Sequence, residues 1–76
     1  MASKDRIEIN PKVMAGKPVI RGTRIAVELV LRKLAEGATE KALLDAYSSL
    51  SREDIKAALA YAARSIAHEE IHSIEK

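Results

Sequence analysis

Ten consecutive residues, Gly16-Lys17-Pro18-Val19-Ile20-Arg21-Gly22-Thr23-Arg24-Ile25, hold two of the chain's three glycines, one of its two prolines and three of its thirteen Lys and Arg residues. Glycine opens the left-handed backbone region and proline fixes φ, so a segment with both at short spacing admits few backbone paths. The residues after Ile25 read as ordinary amphipathic helix. The segment therefore divides the chain into a basic β/turn part, residues 1–25, and a helical body, residues 26–76, of one small domain.

The remaining composition narrows the fold further. At 76 residues the chain buries only about 60% of the surface that its unfolded form exposes, so stability is modest or shared with a partner. There is no cysteine, hence no disulfide framework and no thiolate metal site. Tyr47 and Tyr61 are the only aromatics, which leaves the core to Ile, Leu, Val and Ala. The longest apolar run, seven residues at 57–63, is far too short to span a bilayer, and Met1 to Asp5 does not have the pattern of a signal peptide, so a cytoplasmic protein is expected. The net charge of +2 is unevenly placed: residues 1–24 hold six cations against two carboxylates, residues 25–76 seven against nine. An anionic partner is drawn first to the N-terminal third.

Local patterns then suggest the elements. Ile7-Glu8-Ile9 alternates apolar and polar residues until Asn10-Pro11 breaks it. Val19-Ile20 and Arg24-Ile25 are short β-prone pieces, which predicts two or three very short strands with unpaired edges. From Ala26 the period becomes helical, with Val27, Val30, Leu31 and Leu34 on one face and Glu28 four residues before Arg32 on the other. Gly37 is placed to end that helix in a left-handed cap. Thr39 is the expected N-cap of a short second helix through Tyr47, with Leu43, Leu44 and Tyr47 turned inward. After Ser48-Ser49-Leu50, Ser51 and Asp54 form the capping-box pattern that opens a third helix. Its expected core face is Ile55, Ala58, Leu59, Ala62 and Ile66. A second seam, Ala60, Ala63, Ala67, Ile71 and Ile74, suits a dimer or partner surface, although alanine is also simply a good helix former.

Several chemistries can be weighed on these residues. His68-Glu69-Glu70-Ile71-His72 matches the H-E-x-x-H zinc pattern, but no third histidine exists in the chain and too little sequence lies beyond it to build a substrate wall. Histidines there suit a helix C-terminus instead. Gly16-Lys17 lacks the preceding glycine and following Ser or Thr of a phosphate loop. No nucleophile–base pair or catalytic carboxylate cluster stands out, so no enzyme, metal or cofactor is expected. Two helices joined by a short turn after an initial helix fit the helix–turn–helix pattern, in which Arg52 and Lys56 would be the DNA-binding candidates. Glu53 and Asp54 beside them oppose phosphate contact, and a three-helix bundle without DNA affinity fits equally. The basic turn offers Lys17, Arg21, Thr23 and Arg24 for a partner or an anion, because arginine suits bidentate pairing with carboxylate or phosphate; the same cations can also be simply solvated.

Asn10-Pro11, the run from Gly16 to Ile25, Val27, Gly37, Tyr47, Leu50, Asp54-Ile55, Ala58-Leu59 and Tyr61-Ala62 together resemble the bacterial family catalogued as domain of unknown function 433. The resemblance covers about Ile7 to Ala63. It implies a mainly α fold: a short N-terminal β-element followed by a three-helix, helix–turn–helix or homeodomain-like bundle. It also implies an antitoxin role similar to that of VapB, beside a PIN-like ribonuclease toxin, with operator DNA a further candidate partner and a homodimer as the assembly. The motif positions are Gly16, Lys17, Pro18, Gly22, Thr23 and Arg24. Ser48-Ser49 departs from the family, where a proline often follows the tyrosine. The alternative is a homodimeric protein-interaction module that does not bind DNA.

Overall fold

The computed structural model describes the backbone of residues 6–12 and 14–74, and side chains as far as residue 67 except Met14. Strand β1 (Ile7–Ile9) pairs antiparallel with β2 (Pro18–Ile20) in the register Ile7↔Ile20, Glu8↔Val19, Ile9↔Pro18. The Arg21 amide donates to the Arg6 carbonyl at 2.7 Å, which makes Ile9 and Pro18 a non-hydrogen-bonded pair by the alternation of an antiparallel ladder. Pro18 thus leaves no gap in the pairing with β1. Asn10 ends β1 by accepting the Lys12 amide on its side-chain carbonyl at 2.9 Å, an Asx-turn. The expected third strand at Arg24-Ile25 is reduced to a single bridge between Val19 and Ala26.

Among the described residues three α-helices follow the strands: α1 (Val27–Ala35), α2 (Glu40–Ala46) and α3 (Arg52–Ile74). α1 closes in a Schellman arrangement. The Ala38 amide donates to the Lys33 carbonyl and the Gly37 amide to the Leu34 carbonyl, both at 3.0 Å. Gly37 takes φ +103° to do so, a value that side-chain-bearing residues rarely adopt. Thr39 caps α2 by accepting the Ala42 amide at 3.0 Å. At the start of α3 the capping box is complete: the Ser51 amide donates to the Asp54 carboxylate at 3.0 Å, and the Asp54 amide donates to Ser51 Oγ at 3.2 Å. The two N-caps satisfy first-turn amides, and the Schellman arrangement satisfies last-turn carbonyls, that would otherwise lack partners.

The core lies where the strand pair meets the three helices. It is built from Ile7 and Ile20, Val27 and Val30, Leu43, Leu50, and Ile55, Ala57 and Ala58, with Leu44, Tyr47 and Tyr61 packed against it. Three of the five expected core residues of α3 lie outside it: Leu59 is 48% and Ile66 is 52% exposed and Ala62 is half-buried, while Ala57 is buried. Leu59 is exposed because the inward side of α3 runs through Asp54, Ala57, Ala58 and Tyr61 and turns Leu59 away. Ile66 is exposed because of length: with 23 residues against nine in α1, α3 is about 34 Å long against about 14 Å, so its later turns overhang the elements that could cover them.

One buried carboxylate joins the two parts of the chain. Asp54, 7% exposed, gives one oxygen to the Ser51 amide and the other to Arg6 Nη1 at 3.1 Å. This side chain therefore turns inward instead of facing a DNA backbone. Asp54→Ala removes a cap and leaves the Arg6 guanidinium half-buried without its counter-ion. We expect a loss of about 2 kcal/mol, read as a melting temperature about 10 °C lower. A melting curve unchanged within 2–3 °C, roughly half a kcal/mol, would show that Asp54 does not tie the parts together.

Candidate basic turn and groove

The segment after β2 is closed upon itself. The Thr23 amide donates to the Ile20 carbonyl at 3.0 Å, with Gly22 at φ +81°; among the described residues Arg21 has no positive φ, so this is a type II turn, which wants glycine at its third position. The Thr23 hydroxyl donates to the same carbonyl at 2.8 Å and accepts the Ile25 amide at 2.9 Å. The Ile20 amide in turn donates to the Ile25 carbonyl at 2.9 Å. Arg24 thus sits between two residues whose backbones are tied down, while its own side chain is exposed. A guanidinium on a fixed stem gives up less conformational freedom on meeting a ligand.

Arg24 borders two depressions. The larger, about 700 Å³, runs between the turn and the α2–α3 connection, with Glu8, Leu29, Tyr47 and Ser49 on its walls. The smaller, about 270 Å³, brings Arg24 together with Lys17, Arg32, Glu28 and the first residues of α1. Within it Glu28 pairs with both Lys17, at 3.5 Å, and Arg32. All three of these side chains are more than half exposed, so each pair contributes at most about 1 kcal/mol and yields readily to a competing anion. Three cations and one carboxylate leave the depression at +2. Arg24 makes no ion pair with any described residue.

The sequence-predicted residues separate on this geometry. Lys17 and Arg24 share the small depression, and Thr23 is the tie that shapes the turn, its hydroxyl engaged as both donor and acceptor. Arg21 occupies the exposed corner of the same turn and has a partner of its own. Arg52 and Lys56 are exposed on the first turns of α3, where Arg52 Nε donates to Glu40 at 3.0 Å across the α2–α3 junction. Of the second seam, Ala60 is half-buried and Ala63 and Ala67 are exposed; the side chains of Ile71 and Ile74 lie outside the described residues, as do those of His68 and His72. Sequence reasoning missed Arg32 and Glu28 as part of the basic depression. Their four-residue spacing was visible, but not that α1 would set Glu28 beside Lys17. Among the described residues no group of three His, Asp or Glu side chains is placed to hold a metal, and no helix is long and apolar enough to cross a membrane.

Comparison with known proteins bears on the same segment. Residues 7–62, which include the whole turn, match the family described as "Protein of unknown function (DUF433)". The chain is 36% identical over 61 residues to the uncharacterized protein y4eO of Sinorhizobium fredii (strain NBRC 101917 / NGR234), covering 80% of this chain and 28% of that protein. It thus spans less than a third of that relative's length. A crystal structure of a DUF433 member protein from Anabaena variabilis ATCC 29413 shares the fold at a TM-score of 0.79 and 33% identity, over 91% of this chain and 68% of that one.

The Thr23 hydroxyl predicts its own test. Thr23→Val keeps the shape of the side chain and removes both hydrogen bonds, with an expected cost of about 1–2 kcal/mol. Exchange of the Ile25 amide should accelerate by about tenfold, whereas Thr23→Ser should stay near the parent value. Equal exchange in all three proteins would mean that the hydroxyl does not hold the turn.

Proposed function

The chain belongs to the DUF433 family, and on that footing we propose that it is a non-enzymatic, antitoxin-like cytoplasmic regulator that docks through its basic turn on a PIN-like ribonuclease. The observation that carries this reading is Arg24, exposed on a turn tied on both sides. Lys17 and Arg32 stand beside it, held only by a carboxylate that a partner can displace. A metal-dependent nuclease gathers carboxylates to bind its cations. An arginine inserted among them pairs bidentately and competes with the metal for its ligands. Arg21, on the same turn, is the second candidate for that insertion. The excess positive charge of the N-terminal third steers the encounter.

In this proposal the helical body is of helix–turn–helix type. Supporting it are α2 and α3 joined by residues 47–51, and α1 preceding them. Operator binding is its weaker half, because Arg52 is engaged by Glu40 and Lys56 then supplies most of the accessible charge at the start of α3. The alternative, a homodimeric interaction module without DNA affinity, is favoured by that same pairing.

Two measurements test these readings. Capture of the chain's partners from a nuclease-treated native lysate, with mass spectrometry, should return a small protein with a carboxylate-rich nuclease site. Against that protein, Arg21→Ala/Arg24→Ala should raise the dissociation constant by at least about 30-fold, and Arg24→Lys by less, since lysine lacks the bidentate fork. An unchanged affinity for the double variant would sink the insertion mechanism. For DNA, affinity should fall steeply with salt, by about one counterion per phosphate contacted, and the slope should shrink in Arg52→Ala/Lys56→Ala. A flat salt response would leave the interaction module.

A further inference from the structure

We propose that the smaller depression, between the turn and α1, is a receptor for a doubly charged phosphate group, and that Glu28 is the internal anion which the phosphate displaces. The charges set the class of ligand. Lys17, Arg24 and Arg32 line the depression together with one carboxylate, that of Glu28, and the surplus is two positive charges. A phosphate monoester carries about −1.5 to −2 at pH 7 and balances that surplus. A lone carboxylate leaves one cation uncompensated. Arginine adds shape to the match, since its planar fork meets two phosphate oxygens at once. The volume of about 270 Å³ holds a phosphate group with several waters of about 30 Å³ each.

Glu28 marks the point on which the cations converge. Its carboxylate lies 3.5 Å from Lys17 Nζ and pairs with Arg32 as well, whereas Arg24 lines the same depression without an ion pair to any described residue. A phosphate in that place takes over the two cations that Glu28 holds and gains Arg24 in addition. The exchange costs little, because exposed pairs contribute at most about 1 kcal/mol each. The first turn of α1 forms one wall, and Ala26 at its N-cap provides no side-chain hydrogen bond, so the positive end of the helix adds to the field of the cations. An organic substituent on the phosphate also has room. Arg24 and Leu29 border the larger depression too, where Tyr47 and Ser49 offer a ring and a hydroxyl. This inference concerns the chain alone and does not rest on the ribonuclease reading.

Amide chemical shifts of the full chain, followed while inorganic phosphate is added near neutral pH at constant ionic strength, test it. The Glu28 and Leu29 amides should move and saturate with a dissociation constant of about 1 mM. Arg24→Ala should weaken binding at least about fivefold. Glu28→Gln should tighten it about threefold, because the competing carboxylate is gone. Lys56→Ala, outside the depression, should leave it unchanged. Acetate should bind at least about tenfold more weakly than phosphate, having a single charge. Adenosine 5′-monophosphate separates the two sources of the group. Binding about threefold or more tighter than phosphate assigns an ester whose remainder lies in the larger depression, and equal or weaker binding assigns the free ion. No saturation below about 20 mM phosphate overturns the proposal, as does acetate binding as tightly as phosphate. It also fails if Arg24→Ala binds like the parent or if Glu28→Gln binds more weakly. None of these outcomes bears on whether a ribonuclease is captured from the lysate.

Discussion

Asp54 is the point at which the two halves of this chain become one fold. Its carboxylate completes the cap of α3 with one oxygen and holds Arg6, 48 residues earlier, with the other. Short strands cannot stand alone in water, and a pair of them gains stability only against another element. The Arg6 contact brings β1 to the start of α3, and the apolar faces of Ile7 and Ile20 then close over Ile55, Ala57 and Ala58. Because Asp54 is buried and Arg6 only partly so, the pair is shielded enough to matter without demanding full desolvation of both charges. The orientation of α3 and the placing of the basic turn both descend from this junction.

From there the turn is shaped by local chemistry. Gly22 supplies the positive φ, and one threonine hydroxyl ties Ile20 to Ile25. The backbone is thereby diverted from the ladder, which is why β2 gains only the Ala26 bridge on its outer edge instead of a third strand. The same diversion lifts Arg24 out of the sheet and leaves it exposed at the meeting of two depressions. A residue in a regular third strand would have alternated with its neighbours above and below the sheet. The cluster with Lys17 and Arg32 exists because the turn delivers the chain directly into α1.

The helical body shows how a small domain runs out of cover. α1 and α2 are nine and seven residues long, and they protect only the first two or three turns of α3. Beyond Ala62 every described side chain of α3 is exposed. Ile66, 52% exposed, borders Pro18, Leu31 and Tyr61 on one side and has no cover from the described residues on the other.

Much of this was legible in the residues themselves, because it depends on near neighbours. Thr39, the Ser51–Asp54 box, the Gly37 cap and the break at Asn10-Pro11 are local hydrogen-bond or backbone requirements, satisfied within a few residues wherever the chain goes. The basic turn stood out for the same reason: glycine and proline restrict the path before any packing occurs. The face of α3 that is buried was not legible beyond Ile55 and Ala58. Leu59 and Ile66 have the spacing of core residues, but periodicity records only which side chains share a face, not which face the packing turns inward or whether another element reaches that far. The Arg6–Asp54 pair, the meeting of Lys17 with Glu28 and the groove opposite Ser49 likewise required the tertiary structure. Each joins charges or surfaces that are far apart along the chain, and only the packing of strands on helices sets the distances at which such groups interact.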